Sequence, residues 1–317
     1  MPAYNGEKYI RQAIDSVLLS SMQDIELVVV DDGSTDKTSE ILREYELKDD
    51  RVRVFKQPNS GRPAFPKNLA LRHVRGEFVC FLDNDDYIAP EKLELMVNGL
   101  DDHPEWCATF HDIHLVNAEG VGLGKSYLQD AEFLSKSASW LNYLKDDWYD
   151  CGMEFYKFQS IFFAAFHTQS IMIARNRIPL ENLYFNTGFR ICEDTDLWIR
   201  IGMMGRVGYL NKVLSFYRQH ETNFTRNTLV FSQDSVLFHE QNFQRVATHF
   251  TQQQLQKYKV KIANCWYQLG YLHSCSNNSR LATQAFLNGA RWAHPLKVVI
   301  PIIKAWLRPM LRPSNDR

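Results

Sequence analysis

Two groups of acidic side chains in this 317-residue sequence are candidates for a functional site. The first, Asp83-Asn84-Asp85-Asp86, directly follows an apolar run. In an extended segment Asp83 and Asp85 share one face, and crowded carboxylates repel one another unless a cation offsets their charge. Oxygen ligands favour Mg²⁺ or Mn²⁺, and Mg²⁺ usually shares its coordination shell with phosphate groups. The first group therefore predicts a divalent-cation site, with solvated loop acids and helix caps as the alternative.

The second group is the sequence EDTD at 193–196, which precedes an apolar helix pattern that begins at Leu197. Acids in the first turn of a helix complement its dipole, which accounts for one or two of the three. The surplus predicts a general base that takes a proton from an acceptor hydroxyl. The segment GRPAFPK, before the first acidic group, supplies Arg62 and Lys67, and basic residues of this kind bind diphosphates.

The elements that must position these side chains alternate between strands and helices over the first hundred residues. Short runs rich in β-branched and apolar residues predict strands at 26–30, 52–55 and 77–82. We expect helices at 6–20, from a cap at Ser34 or Thr35 to about Leu47, at 66–74 and after Pro90. This order predicts an α/β fold with a mostly parallel sheet, flanked by helices, that binds its ligand at the carboxyl ends of the strands.

The start of the sequence departs from this pattern. The helix at 6–20 begins almost at once, so the strand that should feed it is missing. We expect the natural reading frame to extend upstream and to supply it.

Composition excludes several classes of protein. Hydrophobic residues make up 45% of the chain and charged residues 23%, so the chain is neither disordered nor fibrous. A formal net charge of -1 provides no field for nucleic acid. The six cysteines have no CxxC spacing, which indicates reduced thiols. No apolar run is long enough to span a bilayer and MPAYNGEKYIRQ does not resemble a signal peptide, so we expect a cytoplasmic protein.

The order and spacing of six segments resemble those of the inverting nucleotide-sugar glycosyltransferases of family 2, which have the GT-A fold. These segments are PAYNGEKYIRQAIDSVL (2–18), ELVVVDDGSTDKT (26–38), NSGRPAFPKNLAL (59–71), GEFVCFLDNDDYIAP (76–90), EDTDLWIRI (193–201) and YRQH (217–220). They cover about residues 2 to 222. Each motif is weak by itself, but six in sequence form a specific pattern.

The resemblance implies a role for residues on the donor side. Asp32 corresponds to the acid that binds the base ring, and Pro2, Ala3 and Tyr4 correspond to the segment that walls it. Arg62 and Lys67 correspond to the basic residues near the diphosphate, and Asn84 is assigned to donor binding with them.

The resemblance also implies the metal ligands and the base. Asp83 and Asp85 match the DxD pair, with Asp85 as the direct ligand, whereas Asp86 is expected to cap the next helix. His220 lies where family members place a residue near the metal or the diphosphate; a packed or solvent-exposed histidine is the alternative. Asp194 corresponds to the catalytic base, with Glu193 beside it.

The implied reaction is an inverting, Mn²⁺- or Mg²⁺-dependent transfer of a hexosyl-type sugar from a nucleotide sugar. We expect a UDP-sugar donor and a glycan or lipid-linked saccharide acceptor, in cell-surface polysaccharide synthesis. Two other functions stay open: a non-catalytic sugar-binding or scaffold protein on the same fold, and a nucleotidyltransferase. The second would need an early glycine-rich phosphate loop, and GxGxxG and GxxxxGK[ST] are both absent from the sequence.

We expect a catalytic domain over 1–225, with a nucleotide-sugar half at about 1–110 and an acceptor half at about 111–225. Aromatic residues crowd 140–166, where they either stack on acceptor sugars or form core. A helical region follows over 226–317.

The helical region ends in an amphipathic tail. Its basic and apolar segment 295–313 fits either a helix in the interface of an anionic membrane or a helix packed on the catalytic domain. The membrane alternative would place the protein peripherally on the inner face of the cell membrane.

Overall fold

The computed structural model of the chain describes residues 1–221, 223, 226–293 and 301–306. The chain divides into two units, residues 1–223 and 224–317. Both acidic groups lie in the first unit.

A parallel sheet of three short strands opens the first unit. Its strands are β1 (Pro2–Ala3), β2 (Leu27–Asp31) and β3 (Val52–Lys56), in the spatial order β1-β2-β3. The strand that we expected to be missing is therefore present as the two residues of β1, which pair with Val30 and Asp31.

Every residue of β2 is buried, because helices cover both faces of the strand. Leu27 and Val29 pack with α1 (Ile10–Leu18), whereas Val28 and Val30 pack with Ala70 of the third helix. The other helices of this half are α2 (Thr38–Lys48), α3 (Ala64–His73) and α4 (Lys92–Asp102). The four helices that we expected here are confirmed, with their first residues displaced.

The second sheet of the unit is mixed. In the part of the chain that the structure describes, it consists of β4 (Phe78–Cys80), β5 (Tyr87–Ile88), β6 (Trp106–Val116), β7 (Gly122–Ser126), β8 (Asn142–Tyr143), β9 (Trp148–Asp150), β10 (Ile171–Ala174) and β11 (Arg206–Arg218). The order is β4-β10-β6-β11-β9-β8, with β5 on β11 and β7 on β6. The α/β class is confirmed, but parallel pairing in this sheet is limited to β6 and β11.

Four helices accompany the second sheet: α5 (Tyr127–Asp130), α6 (Phe133–Ser137), α7 (Phe155–Ile161) and α8 (Glu193–Gly202). The aromatic segment at 140–166 contributes mainly to the core. Phe155 and Phe166 are buried against Phe110 of β6, and Phe158 is buried and stacks on Phe155. Phe162, in contrast, is 40% exposed. Core packing therefore accounts for most of these rings.

The second unit is helical, as expected. It contains α9 (Thr228–Val246), α10 (Gln252–Cys275) and α11 (Ser279–Trp292). A capping box between Thr251 and Gln254 starts α10. Close packing joins α10 to α11, because Gly270 of α10 leaves room for the Phe286 ring.

The amphipathic tail is described only over 301–306, which are helical. Ala305 is buried there, and its carbonyl accepts a hydrogen bond from the Ser279 hydroxyl at 2.8 Å. The remainder of the predicted membrane segment, 295–300 and 307–313, lies outside the described residues. Within the described residues, no helix is both long and apolar enough to cross a bilayer. The six cysteines, all among the described residues, form no disulfide bond with one another.

Candidate active site

The end of β2 places two buried acids with different partners. Asp31 accepts hydrogen bonds from the Ser34 backbone N–H, at 2.9 Å, and from the Ser39 hydroxyl. Asp32 is 5% exposed and accepts from the backbone N–H of Ser60, at 3.2 Å, and from its hydroxyl, at 2.8 Å. These bonds hold the loop after β3 against Asp32, the residue predicted to bind the base ring.

The segment predicted to wall the base lies beside Asp32. The Asp32 backbone N–H donates to the Ala3 carbonyl at 2.8 Å, so Pro2, Ala3 and Tyr4 run alongside this acid. Tyr4 is 48% exposed, which leaves its ring free to meet a ligand.

A contact near this segment replaces the predicted helix cap. We expected Ser34 or Thr35 to cap the second helix, but α2 begins at Thr38 and neither residue caps it. Instead, the Thr35 backbone N–H donates to Asn5 Oδ1 at 2.9 Å, and the Asn5 N–H donates to Ser34 Oγ at 3.1 Å. The prediction of a cap was wrong because these side chains join the first loop to the loop after β2.

The first acidic group forms the loop between β4 and β5. Asp83 and Asp85 are partly exposed, and Asn84 packs against Gly6, whose missing Cβ makes room for its amide. Asp86 is fully buried and does not cap α4; its Oδ1 accepts from the Arg218 backbone N–H at 2.8 Å. The expected capping role is therefore wrong, and Asp86 instead ties the loop to the end of β11.

Asp85 and His220 come together at one point. Asp85 Oδ2 and His220 Nε2 are 2.9 Å apart, and the Asn223 side-chain amide lies 3.4 Å from the same oxygen. The His220 ring stacks on Tyr9 at a centroid distance of 5.0 Å. This contact fixes the plane of the imidazole.

This pair fits a metal ion that takes its other ligands from elsewhere. A carboxylate oxygen and an imidazole nitrogen form a donor set that suits Mn²⁺. Among the described residues, no group of three or more His, Cys, Asp or Glu side chains is placed to hold a metal ion. Asp85 and His220 therefore offer part of a coordination shell, which a diphosphate and water would have to complete.

Lys67 joins the two acidic groups. Its ammonium, on α3, donates to Glu193 Oε1 at 2.9 Å and lies 3.9 Å from Asp83 Oδ1. The side chains of Lys67 and Glu193 are each 4% exposed, so this ion pair is buried. The structure thus brings the acidic loop after β4 and the start of α8 to opposite sides of one ammonium.

Burial and mutual charge shift the pKa values in this cluster. Burial, together with the charge of Asp194, raises the pKa of Glu193 to about 7, against the opposing effect of Lys67. Burial lowers the pKa of Lys67, but the carboxylates of Glu193, Asp83 and Asp194 outweigh it and leave the pKa raised. Burial also raises the pKa of Asp83, with contributions from Asp85 and Asp194. The Lys67 ammonium therefore stays charged, whereas the Glu193 and Asp83 carboxylates bind a proton more readily than usual.

Asp194, the predicted base, is oriented by threonines. The Thr168 hydroxyl donates to its Oδ2 at 2.9 Å, and the Thr195 backbone N–H donates to its Oδ1 at 2.6 Å. The carboxylate is partly exposed, so a hydroxyl can reach it. Asp196, in contrast, is buried and paired with Arg200 at 2.9 Å.

Arg62, the second predicted diphosphate residue, lies at the start of α3. Its Nη1 donates to the Thr187 carbonyl at 2.6 Å. Further along α3, Asn68 exchanges two hydrogen bonds with the backbone of Phe185. Both contacts attach α3 to the segment before α8 and so help to set the position of Asp194.

Sequence reasoning missed four residues around the site: Tyr9, Thr168, Arg218 and Asn223. Tyr9 and Arg218 fall inside matching motifs, but no motif says which partner they contact. Thr168 and Asn223 fall outside the motifs, and only tertiary contacts reveal them.

The first part of the chain is similar in sequence to known proteins. The sequence family described as Glycosyl transferase family 2 matches residues 1–129. An uncharacterized glycosyltransferase of Haemophilus influenzae is 47% identical over 98 residues, which are 31% of this chain and 39% of that protein. The poly(ribitol-phosphate) beta-N-acetylglucosaminyltransferase TarS of Staphylococcus aureus is 38% identical over 123 residues, 38% of this chain and 20% of that protein. The chain thus matches only a fifth to two fifths of the length of these relatives.

Solved structures extend the likeness in fold to most of the chain. The crystal structure of S. aureus TarS 1-349 in complex with UDP-GlcNAc has a TM-score of 0.66 at 19% identity, over 96% of this chain and 87% of that one. The mannosyltransferase PcManGT from Pyrobaculum calidifontis, in complex with GDP-Man and Mn²⁺, has a TM-score of 0.59 at 17% identity, over 98% and 85%. Residues 1–129 thus match glycosyltransferase family 2 in sequence, and the fold of the chain is GT-A-like.

Proposed function

We propose that this protein is a metal-dependent, inverting glycosyltransferase. It moves a hexosyl-type sugar from a nucleotide sugar to a hydroxyl of a glycan or lipid-linked saccharide, in cell-surface polysaccharide synthesis. A UDP-sugar is the first donor to test, since the TarS neighbour is in complex with UDP-GlcNAc.

The observation that carries the proposal is that both acidic groups have a carboxylate close to the Lys67 ammonium. On one side lies the loop with Asp83 and Asp85, and on the other the start of α8 with Glu193 and Asp194. A transferase needs its diphosphate-binding group close to the base that takes the acceptor proton. The proposal is supported by the contact of Lys67 with one carboxylate of each acidic group, at 3.9 Å from Asp83 Oδ1 and 2.9 Å from Glu193 Oε1.

In the proposed reaction, Asp194 takes the proton of the acceptor hydroxyl as that oxygen attacks the anomeric carbon. The new bond joins the acceptor oxygen to this carbon. The bond from the carbon to the diphosphate oxygen breaks, and its electron pair leaves with the nucleoside diphosphate. Because attack and departure occur on opposite faces, the configuration inverts. Thr168 holds the Asp194 carboxylate in place for this transfer.

The donor is held by the residues at the ends of β2 and β4. Asp32 binds the base ring, with Pro2, Ala3 and Tyr4 beside it. Asn84 and Arg62 are assigned to the sugar and diphosphate. A Mn²⁺ or Mg²⁺ ion at Asp85 and His220 would supply positive charge to the leaving diphosphate.

Transfer assays with a panel of nucleotide sugars test the proposal. We expect one donor, most simply a UDP-sugar, to be consumed with release of nucleoside diphosphate, and EDTA to abolish the reaction. A nucleotidyltransferase would instead release inorganic diphosphate from a nucleoside triphosphate. Donor binding without turnover, with any acceptor, would favour the non-catalytic protein.

Asp194→Asn separates catalysis from binding. We expect kcat to fall about 100-fold or more, which is the general-base range, with donor affinity nearly unchanged. Asp196→Asn is the matched control, since Asp196 lies on the same helix turn but pairs with Arg200. That variant should melt earlier and keep its kcat. A collapse of donor affinity in Asp194→Asn would contradict the assignment.

A further inference from the structure

Arg218, at the end of β11, holds the acidic loop from behind. Its Nε donates to the Asp85 backbone carbonyl at 2.9 Å, and its backbone N–H donates to Asp86 Oδ1 at 2.8 Å. Its Nη1 donates to the Ala118 carbonyl at 2.8 Å and its Nη2 donates to Gln12 Oε1 at 2.6 Å. One side chain therefore joins the acidic loop to α1 and to the turn between β6 and β7.

Aromatic rings fix the guanidinium of Arg218 from two directions. It lies 4.7 Å from the centroid of Tyr9 and 5.3 Å from that of Tyr87. Tyr9 also stacks on His220, the neighbour of Asp85. A planar guanidinium suits this place, because it can stack on rings and donate in several fixed directions at once.

The acceptors of the guanidinium are neutral, although Arg218 is only 2% exposed. They are backbone carbonyls and one side-chain amide. A buried cation is costly unless nearby negative charge offsets it. Arg218 donates hydrogen bonds to the Asp85 backbone carbonyl and to the Asp86 carboxylate, so both acidic residues lie close to it. Its charge thus stabilises the acidic loop without forming a hydrogen bond to the Asp85 carboxylate.

We propose that Arg218 is a positioning residue that sets the Asp85 carboxylate beside His220 before any metal or donor binds. Because Arg218 donates to the Asp85 backbone carbonyl and not to the carboxylate, it orients the Asp85 side chain and leaves the carboxylate oxygens to other partners. The proposal deepens the proposed function, since it makes the geometry of the Asp85–His220 pair depend on a residue that touches neither substrate nor ion.

The test compares Arg218→Lys with the parent chain by two measurements. Hydrogen exchange of the peptide that contains residues 83–88 is measured without metal or nucleotide. Mn²⁺ binding is measured by electron paramagnetic resonance in the presence of UDP. Lysine keeps the positive charge but cannot donate hydrogen bonds in the several fixed directions of the planar guanidinium. We expect exchange to become faster and Mn²⁺ affinity to fall about tenfold, which corresponds to one lost hydrogen bond to a charged group.

Arg177→Lys is the matched control. The Arg177 guanidinium also donates to backbone carbonyls, those of Leu100, His103 and Trp106, but at the end of α4. It should lower the melting temperature and leave both measurements unchanged. Parent-like exchange and Mn²⁺ affinity in Arg218→Lys would overturn the proposal.

Gln12→Ala decides the question if Arg218→Lys does not fold. Gln12 is exposed on α1, so this variant removes one anchor of the guanidinium at little cost in stability. Faster exchange at 83–88 supports the proposal, and unchanged exchange overturns it. If the parent binds no Mn²⁺ even with UDP, the metal dependence in the proposed function fails, while the exchange data still decide the role of Arg218.

Discussion

At the scale of single residues, Lys67 has contacts that its motif does not predict. The resemblance implies that it lies near a diphosphate, and in the structure its ammonium also pairs with Glu193 and lies 3.9 Å from Asp83 Oδ1. Removing one partner of a buried ion pair leaves the other charge uncompensated, which is why Lys67 matters for stability whatever it does for the donor.

We predict that, above pH 7 where Glu193 is ionised, Lys67→Met lowers the free energy of unfolding by about 3–5 kcal/mol, the cost of breaking a buried pair. Adding Glu193→Gln to the same chain should restore part of this loss, since it removes the unpaired carboxylate. Denaturant unfolding of the two single variants and the double variant gives the coupling.

The control for this cycle is Lys136→Met, which breaks the exposed pair with Glu132 and should change stability by less than about 1 kcal/mol. UDP affinity adds a second readout. A Lys67→Met protein with full stability and much weaker UDP binding would place the ammonium on the diphosphate instead.

Glu193 predicts a dependence of stability on pH. Its pKa is about 7 in the folded protein against an ordinary value of 4.5. Between these values the folded protein holds a proton that the unfolded chain has released, so the free energy of unfolding falls as the pH rises. The contribution is complete below pH 4.5 and lost above about pH 7, and amounts to roughly 3 kcal/mol.

Unfolding of the parent and of Glu193→Gln across this pH range measures the effect. Between the two pKa values, the free energy of unfolding of the parent should fall by that amount relative to the variant, and the two curves should run parallel above pH 7. A constant difference at every pH would show that Glu193 titrates normally.

At the scale of elements, α7 and its flanking loops show how one aromatic segment serves two purposes. Phe158 is fully buried among other rings, whereas Phe162, one turn later, is 40% exposed. The sequence left core packing and acceptor binding open for the whole segment. Burial assigns Phe158 to the core and leaves Phe162 available to an acceptor.

We predict that Phe158→Ala destabilises the protein by about 3–5 kcal/mol, the range for a deleted core aromatic. Phe162→Ala, the matched exposed variant, should cost little stability. Thermal melting measures both. If acceptor KM rises in Phe162→Ala with kcat unchanged, that ring binds the acceptor; equal destabilisation by both variants would contradict the division.

At the scale of the whole molecule, the membrane hypothesis concerns residues 295–313. The described part of this segment packs on α11: Ala305 is buried, and the Trp306 indole donates to Thr283 Oγ1 at 2.9 Å. Ile303 and Trp306 are nevertheless more than half exposed. Packing of one face and membrane contact of another are therefore compatible.

We predict that the full chain binds anionic liposomes at low salt. Each basic residue near the surface adds about 1 kcal/mol, so replacing Lys297, Lys304, Arg308 and Arg312 with Gln should release the protein. Sedimentation with and without about 0.5 M salt measures this, since high salt screens surface charge.

Deletion of 301–306 is the contrasting variant. It should lower the melting temperature because it removes the packing of Ala305 against α11. No binding of the full chain at low salt would end the membrane hypothesis. Binding that survives both salt and the four substitutions would show that it does not depend on these charges.

Pattern alone predicted the α/β class, the order of the first helices and strands, and the helical character of the second unit. These features depend on apolar periodicity and turn residues, which are local properties of the chain. The family resemblance also came from residues close in sequence, such as Asp83 and Asp85 or Glu193 and Asp194.

The tertiary structure decided which partner each of these side chains has. In the structure, β4 lies in a mixed sheet, and Asp86 accepts a hydrogen bond from the Arg218 backbone instead of capping α4. The Lys67 ammonium is buried between two acidic groups that are far apart in sequence. Such contacts depend on how β11, α3 and α8 meet in space. The sequence determines which groups can carry charge. Which of them become partners depends on the free energy of burying those charges together, and they are buried only when the chain folds.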